Sequence, residues 1–354
     1  MRNYVLFHIA ILHFLITLPT VFSANITVKQ DGTGDTQTIQ AALNAAQNGD
    51  TIIIGDSKTY VEDLTASPFL AQVGVPAAAV SSFTLMAADG VKPVIQAANA
   101  ETSQRMSVLG LTGRDMLGFA IFGCQGVTIQ GIEIVNLENE VNAFNVQSSL
   151  VIVDSDRVTV QDCTVRGPNQ KSAHEGNAIL IAGVQAQPYL TDNITIKDCL
   201  ITESHYGIIS AIFVKGSGVD PNRVTIENCQ FLNGFESGID VDNAQQMVIR
   251  NCFFDYYNHG VHFAGGNSLV EDCTILNTRS YGLECRVDTN WTDKITAAIV
   301  RRCAIIGSGY DEEAAGIRCS DGTLQFENCI IAGSSGSGIL VTPDSVSDIN
   351  ASFD

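Results

Sequence analysis

One pattern recurs down the chain and limits what it can fold into. Seven segments share it: Val158-Thr-Val-Gln-Asp-Cys163, Ile194-Thr-Ile-Lys-Asp-Cys199, Val224-Thr-Ile-Glu-Asn-Cys229, Met247-Val-Ile-Arg-Asn-Cys252, Ser268-Leu-Val-Glu-Asp-Cys273, Ala298-Ile-Val-Arg-Arg-Cys303 and Leu324-Gln-Phe-Glu-Asn-Cys329. An eighth, Val127-Thr-Ile-Gln-Gly-Ile132, has Ile in the cysteine place. The cysteines are 36, 30, 23, 21, 30 and 26 residues apart. Within each segment apolar and polar residues alternate, the period of a half-buried strand. A glycine then opens a further short strand, as in Gly238-Ile-Asp-Val, Gly260-Val-His-Phe, Gly282-Leu-Glu-Cys, Gly316-Ile-Arg-Cys and Gly338-Ile-Leu-Val. A unit this short, with no helical period, cannot bury its apolar face alone. Stacking successive units does bury it, with parallel strands about 4.8 Å apart. The expectation is an all-β solenoid with about three short strands per coil. Loop insertions fall at 165–176, 184–192, 215–222, 286–296 and 307–315. A leucine-rich repeat is the other solenoid of this size, but its Leu-x-x-Leu-x-Leu spacing is missing.

The chain opens with Arg2 and an apolar run from Tyr4 to Leu18, followed by Val21-Phe22-Ser23. Residues 1–23 read as a signal peptide cleaved after Ser23, leaving 24–354 as one domain. The run is too short for a transmembrane helix, and no second apolar span follows. The expected location is secreted, periplasmic or at the cell surface. The formal net charge of −19 argues against nucleic acid and anionic membranes as partners. It also means that an acidic polysaccharide needs a local basic patch or bridging cations.

The Val-Thr-Ile-x-Asn-Cys run followed by Gly-Ile-x-Val resembles the repeat of pectate lyases, polygalacturonases and their pectin-lyase-like relatives. The opening resembles the start of pectin methylesterases and other β-helix proteins. It runs through Ile26-Thr-Val-Lys-Gln-Asp-Gly-Thr-Gly-Asp35, Thr38-Ile-Gln-Ala-Ala, Asn48-Gly-Asp-Thr-Ile-Ile-Ile54 and Thr59-Tyr-Val-Glu62. The resemblance covers about residues 26–341. It implies a single-stranded right-handed parallel β-helix with a short N-terminal capping helix. Thr38–Ala46 fits that helix, with Ile39, Ala42, Leu43 and Ala46 on one face. No comparable cap is visible after Val341.

Stacking in register puts the repeat cysteines in an inward column. Their parallel Cβ vectors are wrong for a disulfide torsion, so they read as small buried hydrophobes. Export nevertheless favours disulfides, and Cys285 with Cys319, equivalent in adjacent coils, is the first pair to test. Two residues before each repeat cysteine, Lys197, Glu227, Arg250, Glu271, Arg301 and Glu327 alternate in sign, as cross-strand pairs on a solvated face would. The Asp162, Asp198, Asn228, Asn251, Asp272 and Asn328 positions read as turn residues.

The glycine-led strand carries different chemistry. Its outward positions read Asp240, His262, Glu284, Arg318 and Leu340, then Asp242, Ala264, Arg286, Ser320 and Thr342. Before the glycines stand Glu236, His259, Tyr281 and the acidic run Asp311-Glu-Glu313. This patch is the candidate site: Asp240, His259, His262, Glu284 and Arg318 as catalytic groups, and Tyr281 and Arg286 as substrate-binding groups. A solvated outer face carries the same residue types. For hydrolysis, two carboxylates about 6.5–9.5 Å apart favour inversion, and Asp240 and Glu284, two coils apart, put their Cα atoms about 9.6 Å apart. For a lyase, a cation neutralises a uronate carboxylate while a base removes the adjacent proton. Asp240, Asp242 and Glu284 are then the oxygen donors for Ca²⁺, with Arg286 or Arg318 near the substrate. Lys171, His174-Glu175 and His205-Tyr206 on earlier coils are weaker candidates.

Glu236-Ser-Gly-Ile-Asp240 resembles the polygalacturonase Asn-Thr-Asp-Gly-Ile-Asp stretch, with Ser237 in place of its first Asp. Asn258-His259-Gly260 resembles its Gly-His-Gly. The Asp-Asp pair and the Arg-Ile-Lys element are missing, as are the methylesterase motifs and the pectate lyase Trp-Ile-Asp-His. The expectation is an exported protein that binds or cleaves a polysaccharide, as a lyase or glycoside hydrolase if it is an enzyme. The competing class is a non-catalytic surface or adhesion module. The sequence leaves the sugar and the oligomeric state open.

Overall fold

The computed structural model describes residues 23–72, 77–98, 116–136, 147–167, 176–184, 190–202, 210–217, 220–234, 236–286, 296–309, 314–320, 322–341 and 350–353. The signal segment before Ser23, Lys171, His174-Glu175, His205-Tyr206, Asp311–Glu313 and Thr342 lie outside them.

Among the described residues, three parallel sheets of 12, 10 and 10 strands wind in parallel along the stack. A coil such as Asn222–Glu227, Gln230–Leu232 and Ser237–Asp242 contributes one strand to each. Inward side chains from all three sheets form one continuous core, with Val160, Ile196, Ile226, Ile249, Val270 and Val300 fully buried in one column. Phe231 and Phe254 stack in another, ring centres 4.5 Å apart.

The turn between the first and second strands of each coil explains the Asn/Asp positions. Asp162, Asp198, Asn228, Asn251, Asp272, Arg302 and Asn328 all have φ between 52° and 55°. This left-handed region suits Asn and Asp, whose short side chains bond locally. Arg302 has no such advantage, and its guanidinium instead pairs with Asp272 at 2.7 Å and Glu271 at 3.0 Å. The cysteine after each of these residues points inward. Its thiol meets the carbonyl two residues back and one in the preceding coil, as Cys199 does with Lys197 at 3.1 Å and Val160 at 3.6 Å. No disulfide joins any of the ten cysteines, Cys285 and Cys319 included, although these two lie in register on adjacent strands. In-register parallel strands set Cβ vectors side by side, the wrong geometry for that torsion.

Helix Ile39–Ala45 follows the expected N-terminus, with Thr38 as its N-cap. Ile39, Ala42 and Leu43 are buried, and the Glu62 carboxylate accepts from the Ile39 and Gln40 amides at 2.9 Å. A second helix, Pro68–Gln72, has no counterpart in the sequence reading. Strand Asn350–Phe353 pairs in parallel with Thr323–Glu327 and extends the 12-stranded sheet.

Candidate functional site

The glycine-led strands Ser237–Asp242, His259–Phe263, Tyr281–Cys285, Ala315–Cys319 and Ser337–Val341 are consecutive neighbours in one ten-stranded sheet. Their glycines stack because the backbones approach too closely for a side chain. A Cβ on Gly260 would lie 2.5 Å from the Gly282 carbonyl oxygen and 2.5 Å from Ile275 Cγ2. This contact fixes the register, which pairs Asp240 with His262, His262 with Glu284, Glu284 with Arg318 and Arg318 with Leu340. The expected outward column is therefore present. One position differs from the sequence reading. Ser237, not Glu236, pairs with His259, so Glu236 sits one residue before the strand.

These side chains meet around one carboxylate. Glu284 is only 2% exposed although it points outward. Arg318 donates to its Oε1 at 3.2 Å. Both imidazoles face its Oε2, His259 Nε2 at 3.6 Å and His262 Nε2 at 3.8 Å. The other ring nitrogens face other carboxylates. His262 Nδ1 is 2.8 Å from Asp240 Oδ1, and His259 Nδ1 is 3.7 Å from Glu236 Oε1. Tyr281 closes the cluster. Its ring stacks on His259 with centres 5.5 Å apart and planes 11° from parallel. Its hydroxyl accepts from Arg318 at 3.3 Å, and the guanidinium lies over the ring at 5.2 Å.

The two histidines sit in unlike fields. Burial pushes His259 down to about 4, which the nearby Glu284 charge only partly offsets. Burial acts the same way on His262, but the Asp240 charge and hydrogen bond, with Glu284, outweigh it and raise His262 to about 9. Burial also raises Glu236. At neutral pH the cluster thus holds one uncharged imidazole, one imidazolium and a guanidinium. Arg286 is half-buried at the next outward position, and its charge reaches both imidazoles.

Of the expected site residues, Asp240, His259, His262, Tyr281, Glu284 and Arg318 come together and Arg286 stands beside them. Asp242 lies beyond the cluster on the Asp240 strand. The expected calcium donors Asp240, Asp242 and Glu284 do not converge. His262 stands between Asp240 and Glu284 in the column, and Glu284 is occupied by Arg318. Among the described residues no three or more His, Cys, Asp or Glu side chains form a group fit for a metal ion. Glu236 was visible in the sequence beside His259 but carried no role there; the contact depends on the one-residue offset.

The family description "Right handed beta helix region" matches residues 177–352. Similar solved structures include an alginate lyase from Paenibacillus sp. str. FPU-7, 11% identical, with TM-score 0.57 over 90% of this chain and 99% of that one. The mannuronan C-5 epimerase A-module from Azotobacter vinelandii is 13% identical, with TM-score 0.50 over 89% and 95%. A polygalacturonase from Erwinia carotovora ssp. carotovora is 14% identical, with TM-score 0.50 over 93% and 97%. No curated protein matches the sequence. The chain has the right-handed parallel β-helix fold. At these identities the likeness is one of fold, and function has to be argued from the site. No described helix is long and apolar enough to cross a membrane.

Proposed function

We propose that this protein is an exported enzyme that cleaves an acidic polysaccharide by elimination, at the cluster around Glu284. The observation that carries the reading is an uncharged imidazole held beside cationic groups. In a chain of net charge −19, Arg318, Arg286 and a protonated His262 gather beside an uncharged His259. A polyanionic sugar needs local cations to approach an acidic protein. Elimination next to a carboxylate needs cations at that carboxylate and an unprotonated base beside them. Arg318 and His262 supply the charge and His259 the base. As His259 takes the proton from the carbon next to the uronate carboxylate, that C–H bond breaks, its electron pair forms the new double bond, and the glycosidic C–O bond breaks with its pair leaving on oxygen. The leaving oxygen takes a proton from a neighbouring acid, a role that suits the Tyr281 hydroxyl. The fold likeness to a structure titled an alginate lyase supports this reading.

Glu236 supports a second reading. Its carboxyl is raised by burial, as a glycosidase general acid must be, and Asp240 offers a second carboxylate. The test is a screen of purified protein against plant, algal and bacterial polysaccharides, with and without calcium. Ultraviolet absorbance of unsaturated ends is the expected result. New reducing ends without absorbance indicate hydrolysis through Glu236. Binding without turnover, or silence from a folded sample, rejects the enzyme and favours a surface module.

A further inference from the structure

We propose that Tyr256 and Arg279 form a further subsite for an acidic sugar on the rim of the cluster, where the tyrosine ring stacks on the sugar face and the guanidinium meets its carboxylate. The inference rests on the reading of the cluster as a site for an acidic polysaccharide.

Tyr256 stands where the backbone disfavours a tyrosine. Leu232, Asp255, Leu276, Ile306 and Ala332 are in register on successive coils, and the turn that follows them begins at Asn233, Tyr256, Asn277, Gly307 and Gly333. All of these turn residues have positive φ, from 51° at Asn277 to 70° at Gly333, with Tyr256 at 69°. Asn and Gly adopt this left-handed region at little cost, whereas a bulky aromatic is strained in it. The backbone bond at the turn is also longer here. The Tyr256 amide donates to Leu276 at 3.4 Å, against 3.1 Å for Asn233 to Asp255 and 3.0 Å for Asn277 to Ile306. Asn277 further donates from its side chain to Asp255 Oδ1 at 2.8 Å.

Packing does not repay that strain. Tyr256 is 51% exposed, while Tyr257 beside it is fully buried in the core. The ring instead meets the Arg279 guanidinium, 5.5 Å from its centre. An exposed cation–π pair is worth less than the strain of a bulky left-handed residue. Strain kept at an open position, without a matching gain in the fold, points to a ligand. The position suits one. Tyr256 precedes strand His259–Phe263 by three residues, and Arg279 precedes strand Tyr281–Cys285 by two. The pair is therefore within about 11 Å of chain from the stacked His259 and Tyr281 rings. The two turns are tied into one ledge. The Arg279 amide donates to the Tyr257 carbonyl at 2.8 Å, and Ser280 Oγ donates to Asn258 Oδ1 at 2.7 Å. An aromatic face takes up the apolar C–H face of a sugar, and a guanidinium pairs with a carboxylate. Together they fit a uronate next along the chain from the one at His259.

The test is affinity electrophoresis of the full chain in gels containing polygalacturonate, alginate, hyaluronan or neutral dextran, paired with denaturant unfolding. Wild type should be retarded by an acidic polymer and not by dextran. Tyr256→Asn should weaken that binding about tenfold, the scale of one lost stacking contact. Its unfolding midpoint should stay level or rise, because Asn suits the left-handed turn. Tyr256→Phe keeps the ring and should keep the binding, and Arg279→Gln should weaken it. Binding that is equal in wild type and Tyr256→Asn overturns this subsite and leaves the polysaccharide reading standing. So does a lower midpoint for Tyr256→Asn, which marks the ring as a packing group. Wild type that passes every acidic gel without retardation overturns both. On any polymer that is cleaved, Tyr256→Asn should raise KM with kcat little changed, the signature of lost uniform binding.

Discussion

Asp240→Asn should remove the alkaline limb of the stability curve. His262 holds its proton up to about pH 9 in the folded chain and to the ordinary 6.5 in the unfolded one. Below 6.5 both states bind it, and the interaction with Asp240 contributes in full. Above that, the unfolded chain releases its proton first, so folding stability falls with rising pH until the folded chain loses its proton too, near pH 9. The gap of about 2.5 units, at 1.36 kcal/mol each, gives about 3 kcal/mol at pH 6.5 and under about 0.5 kcal/mol at pH 9. The group is mostly shielded, its side chain 13% exposed, so solvent screening removes little of this.

Wild type and variant are compared by reversible denaturant unfolding at pH 6.5, 7.5, 8.5 and 9, with m-values checked for equality. Buried thiols such as Cys124, which burial pushes up to about 12, ionise more readily once unfolded and lower both curves toward pH 9. They are common to both proteins, so the difference between the two is the reading. Asn keeps the shape of the side chain but not its charge, and burial then holds His262 below its ordinary value. The wild type should exceed the variant by about 3 kcal/mol at pH 6.5, the excess fading toward pH 9. An excess constant within about 0.5 kcal/mol across that range refutes the Asp240–His262 assignment.

His259 acts with the opposite sign. Its folded value near 4 means that the unfolded chain alone binds a proton between pH 4 and 6.5, so wild-type stability should fall as pH drops through that window. His259→Gln should flatten this acid limb in the same unfolding experiment. Glu284→Gln leaves Arg318 and His262 facing a neutral buried group, and should cost about 3 kcal/mol in denaturant unfolding. Gly260→Ala forces a methyl to within 2.5 Å of the Gly282 carbonyl. It should cost at least about 2 kcal/mol and lower Tm, since neither the backbone nor Ile275 can give way cheaply. Cys229→Ser puts a shorter, more polar group at a site 1% exposed, and should cost about 1–3 kcal/mol by the same assay.

Much of the stack was legible because its signals are periodic. The apolar–polar alternation ending in Cys163, Cys199 and Cys229 gave one sheet, and Gly238, Gly260, Gly282 and Gly316 gave the register of another. The sign alternation of Glu227, Arg250, Glu271 and Arg301 appears as cross-coil ion pairs, Arg250 with Glu227 and Arg301 with Glu271 at 2.6 Å. What was not legible has no period. Helix Pro68–Gln72 is a single insertion with no repeat to mark it. The burial of Glu284 also escaped the alternation rule. An outward position reads as solvated, but Tyr281, Arg318 and two imidazoles lie over this one. Alignment on the glycines itself pairs Ser237 with His259, and Glu236 stands one residue outside that column.

A parallel stack is a direct way to make two identical side chains unlike. Register puts one residue of each coil beside its equivalent about 4.8 Å away, close enough for charge and hydrogen bonding to be felt. Asp240, His262 and Glu284 occupy one such column, while His259 and Tyr281 occupy the column at the strand start. His262 therefore has a carboxylate in register on both sides and is driven to carry charge. His259 has Ser237 and Tyr281 in register and meets its carboxylates only diagonally, at 3.6 and 3.7 Å, so burial prevails and it stays neutral. A shift of either strand by one residue would break these pairings. The glycine contacts that forbid such a shift are thus also what separates base from cation in this site.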